Sequence, residues 1–462
     1  MLDQIGTYAT EPLGGNDALP RVLFVGGSRV NQIDTSNNGL FYRNLYGAWP
    51  KSSLGQIFER GDNGDRGFFG HYYRTASEDR FLGKAHFATR TNADSQSLTD
   101  TNSPSIEQPL QRAYFKRLIT QSLYHSGIID MLFPPRISQK MYNWITEFSP
   151  HFVHTAGYSL AFSWLAMKIS TRFRLPLIFY PTDDWSDRDY RRANGIAGSL
   201  LISEFKRTSH RLVQLASVRC AFNTPMKAEY EKRYRKSFFV FMGADDPARF
   251  EPCRQKSVAE NSPWRIVATG QFDNFRIPLL HDLDEACQIL SQRGYKIEAT
   301  VFPVTPLPRD DTKTFKHVLC KPCPSHDDLP KMLCAADLLF LPECFGGARA
   351  RGIRLSVSSK APLYMHCGKP ILVYADKTTG IATYASSHGW AAILTERSEW
   401  KLANALAELF DDPDRMETLG QRARHIALQN HNLRHLRNAF ATTLREALRD
   451  NPSKTSYHEQ II

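Results

Sequence analysis

Residues 356–375 have the sequence SVSSKAPLYMHCGKPILVYA, and this stretch decides the fold class. Its middle part, APLYMHCGK, predicts a helix that ends near a glycine, and the apolar run PILVYA predicts a strand directly after it. A short continuous apolar run is typical of a strand buried on both faces of a parallel sheet. The same order stands one step earlier, where a predicted helix, DDLPKMLCAA, is followed by a predicted strand, DLLFLPE. The C-terminal half therefore predicts a parallel sheet with helices between its strands.

The N-terminal half shows the same alternation of strands and helices. RVLFVGG (21–27), HFVHTAG (151–157) and LPLIFYPTDDW (175–185) predict strands, and helical patterns separate them. We therefore predict an α/β protein of two Rossmann-like, doubly wound parallel-sheet domains that face a central cleft. The predicted divisions are a flexible leader (1–19), an N-terminal domain (20–245), a linker (246–262), a C-terminal domain (263–430), a helix that braces the two domains (431–450) and a polar tail (451–462).

Three stretches of the N-terminal half predict no strand. GLFYRNLYGAWPKSSLGQIF (39–58) is helix-like before Pro50. Residues 60–75 are rich in glycine and aspartate, and residues 88–110 are poor in apolar side chains. Both of these segments predict loops.

The charge of the chain favours an acidic partner. The 462 residues are 42% hydrophobic, which suffices for packed cores, and carry a net charge of +11. The excess is concentrated in residues 101–240, which hold 20 basic and 10 acidic side chains. Such a surface attracts phosphates, anionic lipids or nucleic acid. Because no nucleic-acid recognition module is visible, we expect no nucleic acid, and two alternatives stay open: a solvated helix face and contact with an anionic membrane surface.

Several classes of protein are excluded by what the sequence lacks. Eight cysteines in so long a chain make no disulfide framework, so we expect reduced thiols and a cytoplasmic protein. CKPC (320–323) has the spacing of metal ligands but no second pair, so we expect no metal. Neither a GxGxxG nor a GxxxxGK[ST] motif is present, which argues against dehydrogenases and P-loop enzymes. No apolar run reaches 18 residues, so we expect no membrane-spanning helix.

The order of segments along the chain resembles the GT-B glycosyltransferases, in particular the family 4 enzymes of bacterial surface-polysaccharide synthesis. The resemblance extends over residues 20–440 and rests on the order of the segments rather than on one motif. It implies the GT-B fold, transfer of a sugar from a nucleotide diphosphate sugar to a glycan or lipid-linked acceptor, and no separate cofactor. The segments are NNGLFYRNLYGAWP, YPTDDW, NTPMKAEYEKRY, ATGQFDNF, CPSHDDLPKMLCAADLLFLPECF, SVSSKAPLYMHCGKPILVYA and TTGIATYASSHGWAAIL.

The diphosphate of the donor is expected at the start of the helix in the SVSSKAPLYMHCGK segment. Ser358, Ser359 and Lys360 bring hydroxyls, amides and an ammonium group to a helix N-terminus, where anions are favoured. Gly270 follows a predicted strand, and a residue without Cβ lets the backbone approach a ligand closely. The alternatives are a helix cap with a solvent-facing lysine at the first place and a tight turn at the second.

The resemblance implies further donor contacts and also shows two departures from the family. Ser325 and His326 match the loop that lines the base of the nucleotide. The basic residue that commonly follows the glycine of the first turn is absent, and Arg276 is the candidate to replace it. A second glutamate, which often holds the donor ribose, would fall at Leu363, whose side chain accepts no hydrogen bond.

Three carboxylates are candidate catalytic groups. Glu343 matches the glutamate that many retaining family members carry after the strand that ends in proline; an ion pair with a nearby arginine, Arg349 or Arg351, is the alternative. Asp183 and Asp184 end a predicted strand, where a carboxylate can orient an acceptor hydroxyl or act as general base. Helix capping is the alternative for these two. We expect a hexosyltransferase, with retention favoured over inversion.

Candidate acceptor residues lie in the N-terminal half. Asn38 and Gly39 resemble an acceptor-side loop of the family, and His154 lies near the end of a predicted strand. Turn chemistry explains the first pair nearly as well, and a histidine in an apolar run is more often structural. Leu363 and the absent basic residue also favour a different class, a GT-B-shaped binding or scaffold protein without turnover. A nucleotide-sugar epimerase of similar architecture is a third alternative.

Overall fold

The computed structural model describes residues 19–30, 37–60, 67–82, 128–184, 196–250 and 262–450. These residues form two compact units. The C-terminal unit consists of Phe222–Met226 and Phe241–Ala439, and the N-terminal unit consists of the described residues up to Ala221, of Lys227–Val240 and of the residues from Phe440 onward. The polar tail, most of the leader and the predicted loop at 88–110 lie outside the described residues, and so does most of the linker.

The N-terminal unit is built on a seven-stranded sheet in which every neighbouring pair is parallel. The strand order is β3-β2-β1-β4-β5-β6-β7. All four residues of β1 and of β4 are buried, as expected for strands covered on both faces. The strands are β1 (Val22–Val25), β2 (Leu54–Phe58), β3 (His71–Arg74), β4 (Phe152–Thr155), β5 (Leu177–Phe179), β6 (Val218–Ala221) and β7 (Phe239–Val240).

Helices connect these strands and begin where the sequence offers a cap. The clearest case is the helix Gln139–Phe148, where the side chain of Ser138 accepts a hydrogen bond from the backbone N–H of Met141. The helices of this half of the chain are α1 (Asn37–Tyr46), α2 (Ile128–Leu132), α3 (Gln139–Phe148), α4 (Leu160–Arg172), α5 (Ile196–Leu215) and α6 (Thr224–Tyr234).

The C-terminal unit has a six-stranded parallel sheet with the order β10-β9-β8-β11-β12-β13. Its strands are β8 (Trp264–Gly270), β9 (Ile297–Pro303), β10 (Val318–Cys320), β11 (Leu338–Pro342), β12 (Ile371–Tyr374) and β13 (Ala392–Leu394). Its helices are α7 (Ile277–Gln292), α8 (Arg309–Thr314), α9 (Leu329–Cys334), α10 (Gly347–Gly352), α11 (Lys360–His366), α12 (Gly380–His388), α13 (Glu399–Phe410) and α14 (Pro413–Asn430). The last helix, α15 (Leu433–Arg449), begins in this unit and continues into the N-terminal unit at Phe440.

The prediction of two doubly wound parallel-sheet domains is confirmed by these two sheets. One local prediction is wrong, because β3 lies in a stretch predicted as a loop, and one strand was not predicted, because β2 lies after Pro50 where the sequence indicated no strand. In β2, Gly55 leaves room for the ring of Phe148 from α3, since a Cβ at residue 55 would lie 2.8 Å from a ring carbon. β3 is the edge strand, and only one of its four residues is buried. Neither strand therefore shows the continuous apolar run of a central parallel strand.

Each unit has its own apolar core. In the N-terminal unit Phe440, from α15, is fully buried, and its ring centroid lies 5.6 Å from that of Tyr46 and 6.0 Å from that of Trp49. In the C-terminal unit Trp264 stacks on Phe410 with 4.7 Å between ring centroids. No helix among the described residues is long and apolar enough to cross a membrane. The seven cysteines in the described part of the chain are free thiols.

Candidate functional site

The candidate site lies at the carboxyl edge of the C-terminal sheet, where β8 and β11 run side by side and parallel. Gly270 is the last residue of β8, Glu343 follows β11 directly, and Lys360 begins α11. The ends of neighbouring parallel strands meet at one edge of the sheet, which is where open α/β folds bind ligands. Tyr364 ties α11 to β8, because its hydroxyl accepts a hydrogen bond of 2.7 Å from the backbone N–H of Thr269.

Lys360 and Gly270 are in close contact. Gly270 has φ = +122°, a backbone conformation that L side chains rarely adopt. A Cβ at this position would lie 2.8 Å from both Cδ and Cε of Lys360. The glycine is therefore required both by the backbone and by the stem of the lysine that crosses it.

The ammonium group of Lys360 is buried and has no hydrogen-bond partner among the described residues. Its Nζ lies 5.1 Å from the centre of the Phe272 ring. Burial, with the nearby positive charge of Arg276, lowers the pKa of Lys360 to about 8, although Glu343 and Asp273 act in the opposite direction. A buried charge that lacks hydrogen bonds is unfavourable by itself. The position is thus suited to an anion that supplies the missing acceptors.

Arg276 stands beside this lysine and is held by two carboxylates. Its guanidinium forms an ion pair with Glu343 and a second one, at 3.2 Å, with Asp273. Burial lowers the pKa of Arg276, but the charges of Glu343 and Asp273 outweigh that effect and raise it overall. From the sequence, Arg349 or Arg351 was the candidate ion-pair partner of Glu343. In the structure, the described ion pair of Glu343 is made with Arg276.

The alternative interpretation of the start of α11 was a helix cap followed by a solvent-facing lysine, and neither feature is observed. Ser359 precedes the helix with a helical backbone and its side chain makes no capping hydrogen bond. The lysine after it does not face solvent, as described above. Ser358 is half-buried and Ser359 is exposed, so both stand next to Lys360 at the open end of the helix.

The loop that follows β10 holds the other two predicted donor residues. Ser325 hydrogen-bonds Asp328 through its side chain, and the backbone carbonyl of His326 accepts from the guanidinium of Arg249. The start of the loop approaches the end of β8, because Cys323 Sγ lies 3.7 Å from Thr269 Oγ1. The loop is therefore at the same edge of the sheet, although no described contact joins Ser325 or His326 to Lys360.

The two aspartates of the N-terminal unit have different surroundings. Asp184 is buried, and its two carboxylate oxygens accept from the guanidinium of Arg233 at 2.8 and 2.9 Å. The hydroxyl of Tyr230 also donates to this carboxylate, at 3.2 Å. Asp183 is partly exposed. These contacts favour a structural role for Asp184, and its predicted role as general base stays a prediction.

The acceptor candidates of the N-terminal unit are also placed by the structure. His154 is fully buried in β4, with Tyr46 Oη hydrogen-bonded to its Nδ1 at 2.6 Å. Burial lowers the pKa of His154 to about 3, so the ring is neutral at physiological pH. Asn38 and Gly39, which resemble an acceptor-side loop in the sequence, lie in the first turn of α1 and not in a loop, and their role in acceptor binding stays a prediction. The side chain of Asn38 lies outside the described residues.

The sequence did not indicate two contacts that build the site. One is the hydrogen bond from Thr269 to Tyr364, and the other is the cover that Phe272 provides for Lys360. A tyrosine in the fifth position of a short helix has no local signal for such a contact. Arg276 was named only as a replacement for an absent basic residue, and its ion pair with Glu343 joins positions 67 residues apart.

The comparisons with known proteins identify the fold. No protein-family model matches the chain, and no curated protein matches it in sequence. Sucrose-phosphate synthase from Thermosynechococcus elongatus aligns with 13% identity and a TM-score of 0.55, over 93% of this chain and 98% of that one. Anabaena HepE in complex with UDP-glucose aligns with 14% identity and a TM-score of 0.54, over 92% and 99%. α,α-Trehalose 6-phosphate synthase from Burkholderia multivorans aligns with 9% identity and a TM-score of 0.55, over 95% and 98%.

These similarities extend over nearly the full length of each compared chain. Together with the two parallel sheets they show that this chain has the GT-B fold, as the order of its segments implied. Within that fold the described site brings a buried ammonium, a guanidinium and a glycine turn to one edge of the C-terminal sheet. Ammonium and guanidinium groups are the side-chain groups that bind anions most strongly.

Proposed function

We propose that the protein is a glycosyltransferase that moves a sugar from a nucleotide diphosphate sugar to a glycan or lipid-linked acceptor in surface polysaccharide synthesis. The observation that carries the proposal is the buried ammonium of Lys360, which has no hydrogen-bond partner among the described residues. In sugar transfer the bond between the sugar and the diphosphate breaks, and negative charge develops on the leaving phosphate oxygen. A preorganised cation at that oxygen stabilises the transition state.

Arg276 and Lys360 have complementary parts in this proposal. A guanidinium binds two phosphate oxygens through a planar fork, whereas an ammonium acts as a compact point charge. Arg276 is already oriented by Glu343 and Asp273, so little side-chain freedom is lost when phosphate binds. Lys360 and Arg276 supply the cations that contact the diphosphate, and the mechanism proposed here uses no metal ion and no cofactor.

The solved structures support the class of donor. Anabaena HepE has been solved with UDP-glucose and with UDP, and WaaG is described as a glycosyltransferase of lipopolysaccharide biosynthesis. By analogy we propose a hexosyl donor carried on a nucleoside diphosphate and a cytoplasmic enzyme that works at the inner face of the membrane. Ser325 and His326 are proposed to line the base, and Ser358 and Ser359 to bind phosphate oxygens.

Glu343 is proposed to face the donor sugar, with retention of configuration. The support for this proposal is that its carboxylate is held by Arg276, the residue beside the lysine proposed to bind the diphosphate. Leu363 is half-buried in α11. Because a leucine accepts no hydrogen bond, the ribose must be held by other groups, and we expect weaker nucleotide affinity than a carboxylate at this position would give.

A screen of nucleotides by thermal shift tests the proposal. UDP, GDP, ADP, CMP and dTDP are each added to the full chain, with and without magnesium. A ligand that binds only the folded form stabilises it by mass action, by about 2.7 kcal/mol at 100-fold excess over the dissociation constant. We expect one nucleotide to raise the midpoint of unfolding clearly. No shift with any of the five at millimolar concentration contradicts donor binding and favours the second candidate.

That second candidate is a GT-B-shaped binding or scaffold protein without turnover. The observation that favours it is the ion pair between Glu343 and Arg276, because the two charges are paired with each other in the absence of a donor. In that case the protein would bind its partner equally well with Lys360 replaced. A transferase, by contrast, would lose most of its rate.

The affinity for the nucleotide should fall as pH rises. Only the protonated form of Lys360 attracts phosphate, and its pKa without ligand is about 8. Between pH 7 and pH 9 the protonated fraction falls about tenfold, so the dissociation constant should rise about tenfold. Titration calorimetry at several pH values measures this change. In Lys360→Arg the guanidinium stays protonated throughout, and the same profile should be nearly flat; an equal slope in both proteins would place the titrating group elsewhere.

A further inference from the structure

Four large apolar side chains form an exposed ridge on the N-terminal unit. Their exposed fractions are 55% for Phe81, 63% for Leu82, 41% for Met131 and 59% for Leu132. The two short segments that carry them lie side by side, because the backbone N–H of Phe81 donates to the carbonyl of Pro134 at 3.0 Å. We call these four residues the apolar ridge. A contiguous group of exposed apolar side chains marks an interaction surface.

The buried side chain of Arg80 connects the two segments of the ridge to the rest of the N-terminal unit. This arginine is buried and forms ion pairs with Glu59 at 3.2 Å and with Asp130 at 3.3 Å. Its guanidinium also donates to the carbonyl of Phe133 at 3.1 Å. Charged and polar groups thus hold both segments in place, while their apolar side chains point away from the core. The two segments that carry the ridge are therefore held by specific contacts of Arg80.

A basic groove adjoins the ridge. It has a volume of about 610 Å³ and lies between the start of α3 and the outer face of α4. Three of its lining residues are the cations Arg136, Lys168 and Arg172. None of them forms an ion pair with a carboxylate among the described residues. Lys168 donates to the carbonyl of Pro135, which directly precedes Arg136 and pairs with Arg80, so groove and ridge share this segment.

Acidic side chains do not neutralise the groove. Asp79 is buried, and its carboxylate already accepts hydrogen bonds from Tyr73 and from Ser138, the cap of α3. Glu78 contacts Arg136 through its backbone carbonyl and not through its carboxylate. The groove therefore presents positive charge directly beside exposed aliphatic and aromatic side chains.

We propose that the apolar ridge and the basic groove together form the surface by which this protein docks on an anionic membrane. Aliphatic side chains insert at the boundary between headgroups and acyl chains, and cations beside them attract lipid phosphates. This inference rests on the proposed function in one respect, since a lipid-linked acceptor is reached from a membrane surface. It locates the membrane contact at the apolar ridge and at the cations of the groove, Arg136, Lys168 and Arg172.

Co-sedimentation of the full chain with lipid vesicles tests the surface, with neither donor nor acceptor present. We expect binding to vesicles of phosphatidylglycerol and phosphatidylcholine, and weak binding to phosphatidylcholine alone. The pair of changes Arg136→Gln and Arg172→Gln should reduce partitioning about 30-fold, from the loss of two cations near an anionic surface. Leu82→Ser with Leu132→Ser should reduce it at least about tenfold, through lost insertion. Raised salt should weaken binding of the wild type.

Matched changes on the C-terminal unit serve as controls. Lys401→Gln with Arg415→Gln removes two exposed cations, and Trp400→Ser removes an exposed aromatic side chain. Both should leave partitioning within about twofold of the wild type, since they lie outside the proposed docking surface and exposed side chains contribute little to stability. Failure of the wild type to bind anionic vesicles overturns the inference, and so does equal partitioning of the ridge and groove variants. The nucleotide thermal shift is measured on the same variants. It tests donor binding independently, so the membrane inference can fail while the proposed donor binding holds.

Discussion

Replacing Lys360 with methionine should lower kcat/KM for sugar transfer by about 10²–10³-fold, the loss usual when one preorganised donor to a developing oxyanion is removed. The same change should leave the free energy of unfolding unchanged or raise it. The reason is that the ammonium is buried without a hydrogen-bond partner among the described residues, whereas methionine fills similar volume without a charge. Opposite effects on rate and stability are the signature of a group that serves a ligand and not the fold.

Lys401 offers the matched control for this change. It lies on α13 with an exposed side chain that pairs with Glu396, so Lys401→Met removes a lysine outside the site. Its kcat/KM and its nucleotide thermal shift should equal those of the wild type. If Lys360→Met instead lowers the unfolding midpoint and leaves the rate intact, the lysine is a structural residue and the proposed donor site is wrong.

Replacing Asp184 with alanine should destabilise the N-terminal unit by about 3 kcal/mol. The change leaves the guanidinium of Arg233 without its buried partner, and the loss of one member of a buried pair typically costs about 3–5 kcal/mol. The lower end applies because the Arg233 side chain is partly exposed and keeps Glu229 as a second partner. Urea unfolding followed by far-ultraviolet circular dichroism measures the shift of the transition. Glu229→Ala removes only the more exposed pair and should cost less than about 1 kcal/mol.

Asp184→Asn separates the structural role from the predicted catalytic one. Asparagine keeps the shape of the side chain and one carbonyl oxygen as acceptor, but it is no general base. If Asp184 is structural, this variant should be less stable and still transfer sugar at a temperature where it is folded. A rate that falls by orders of magnitude in the folded protein would instead restore Asp184 as a catalytic group.

The fold was predictable wherever a buried strand has a continuous run of apolar residues. RVLFV and LLFLP have continuous apolar runs because helices cover both sides of β1 and β11, and this pattern is local in sequence. β2 escaped prediction because its glycine serves a ring from α3 that lies more than 90 residues further along the chain. The edge strand β3 is mostly exposed and has no such run. The local sequence pattern does not reveal a strand where a contact with a distant part of the chain determines the residue type.

In the candidate site, too, features that are local in sequence could be predicted, whereas contacts between distant residues could not. Lys360 was predicted from its place before a helix in a Ser-Ser-Lys segment, which is a local feature. Its burial was not predictable, because the cover comes from Phe272 and the end of β8. The partner of Glu343 and the partner of Asp184 lie 67 and 49 residues away, and an ion pair at such separation has no signature in a single sequence. Residue types at strand ends could be predicted, whereas their pairing could not.

Because Phe440 belongs to the core of the N-terminal unit, that core cannot be completed until nearly the whole chain has been translated. The N-terminal unit takes this fully buried core residue from the last helix, against Tyr46 and Trp49 near the start of the chain. A ribosome that adds about 5–20 residues per second reaches position 440 roughly 10–45 s after the end of β6. Until then the first unit made lacks part of its core and exposes aromatic side chains. We therefore expect the nascent N-terminal unit to need chaperone protection until the C-terminal unit has been translated.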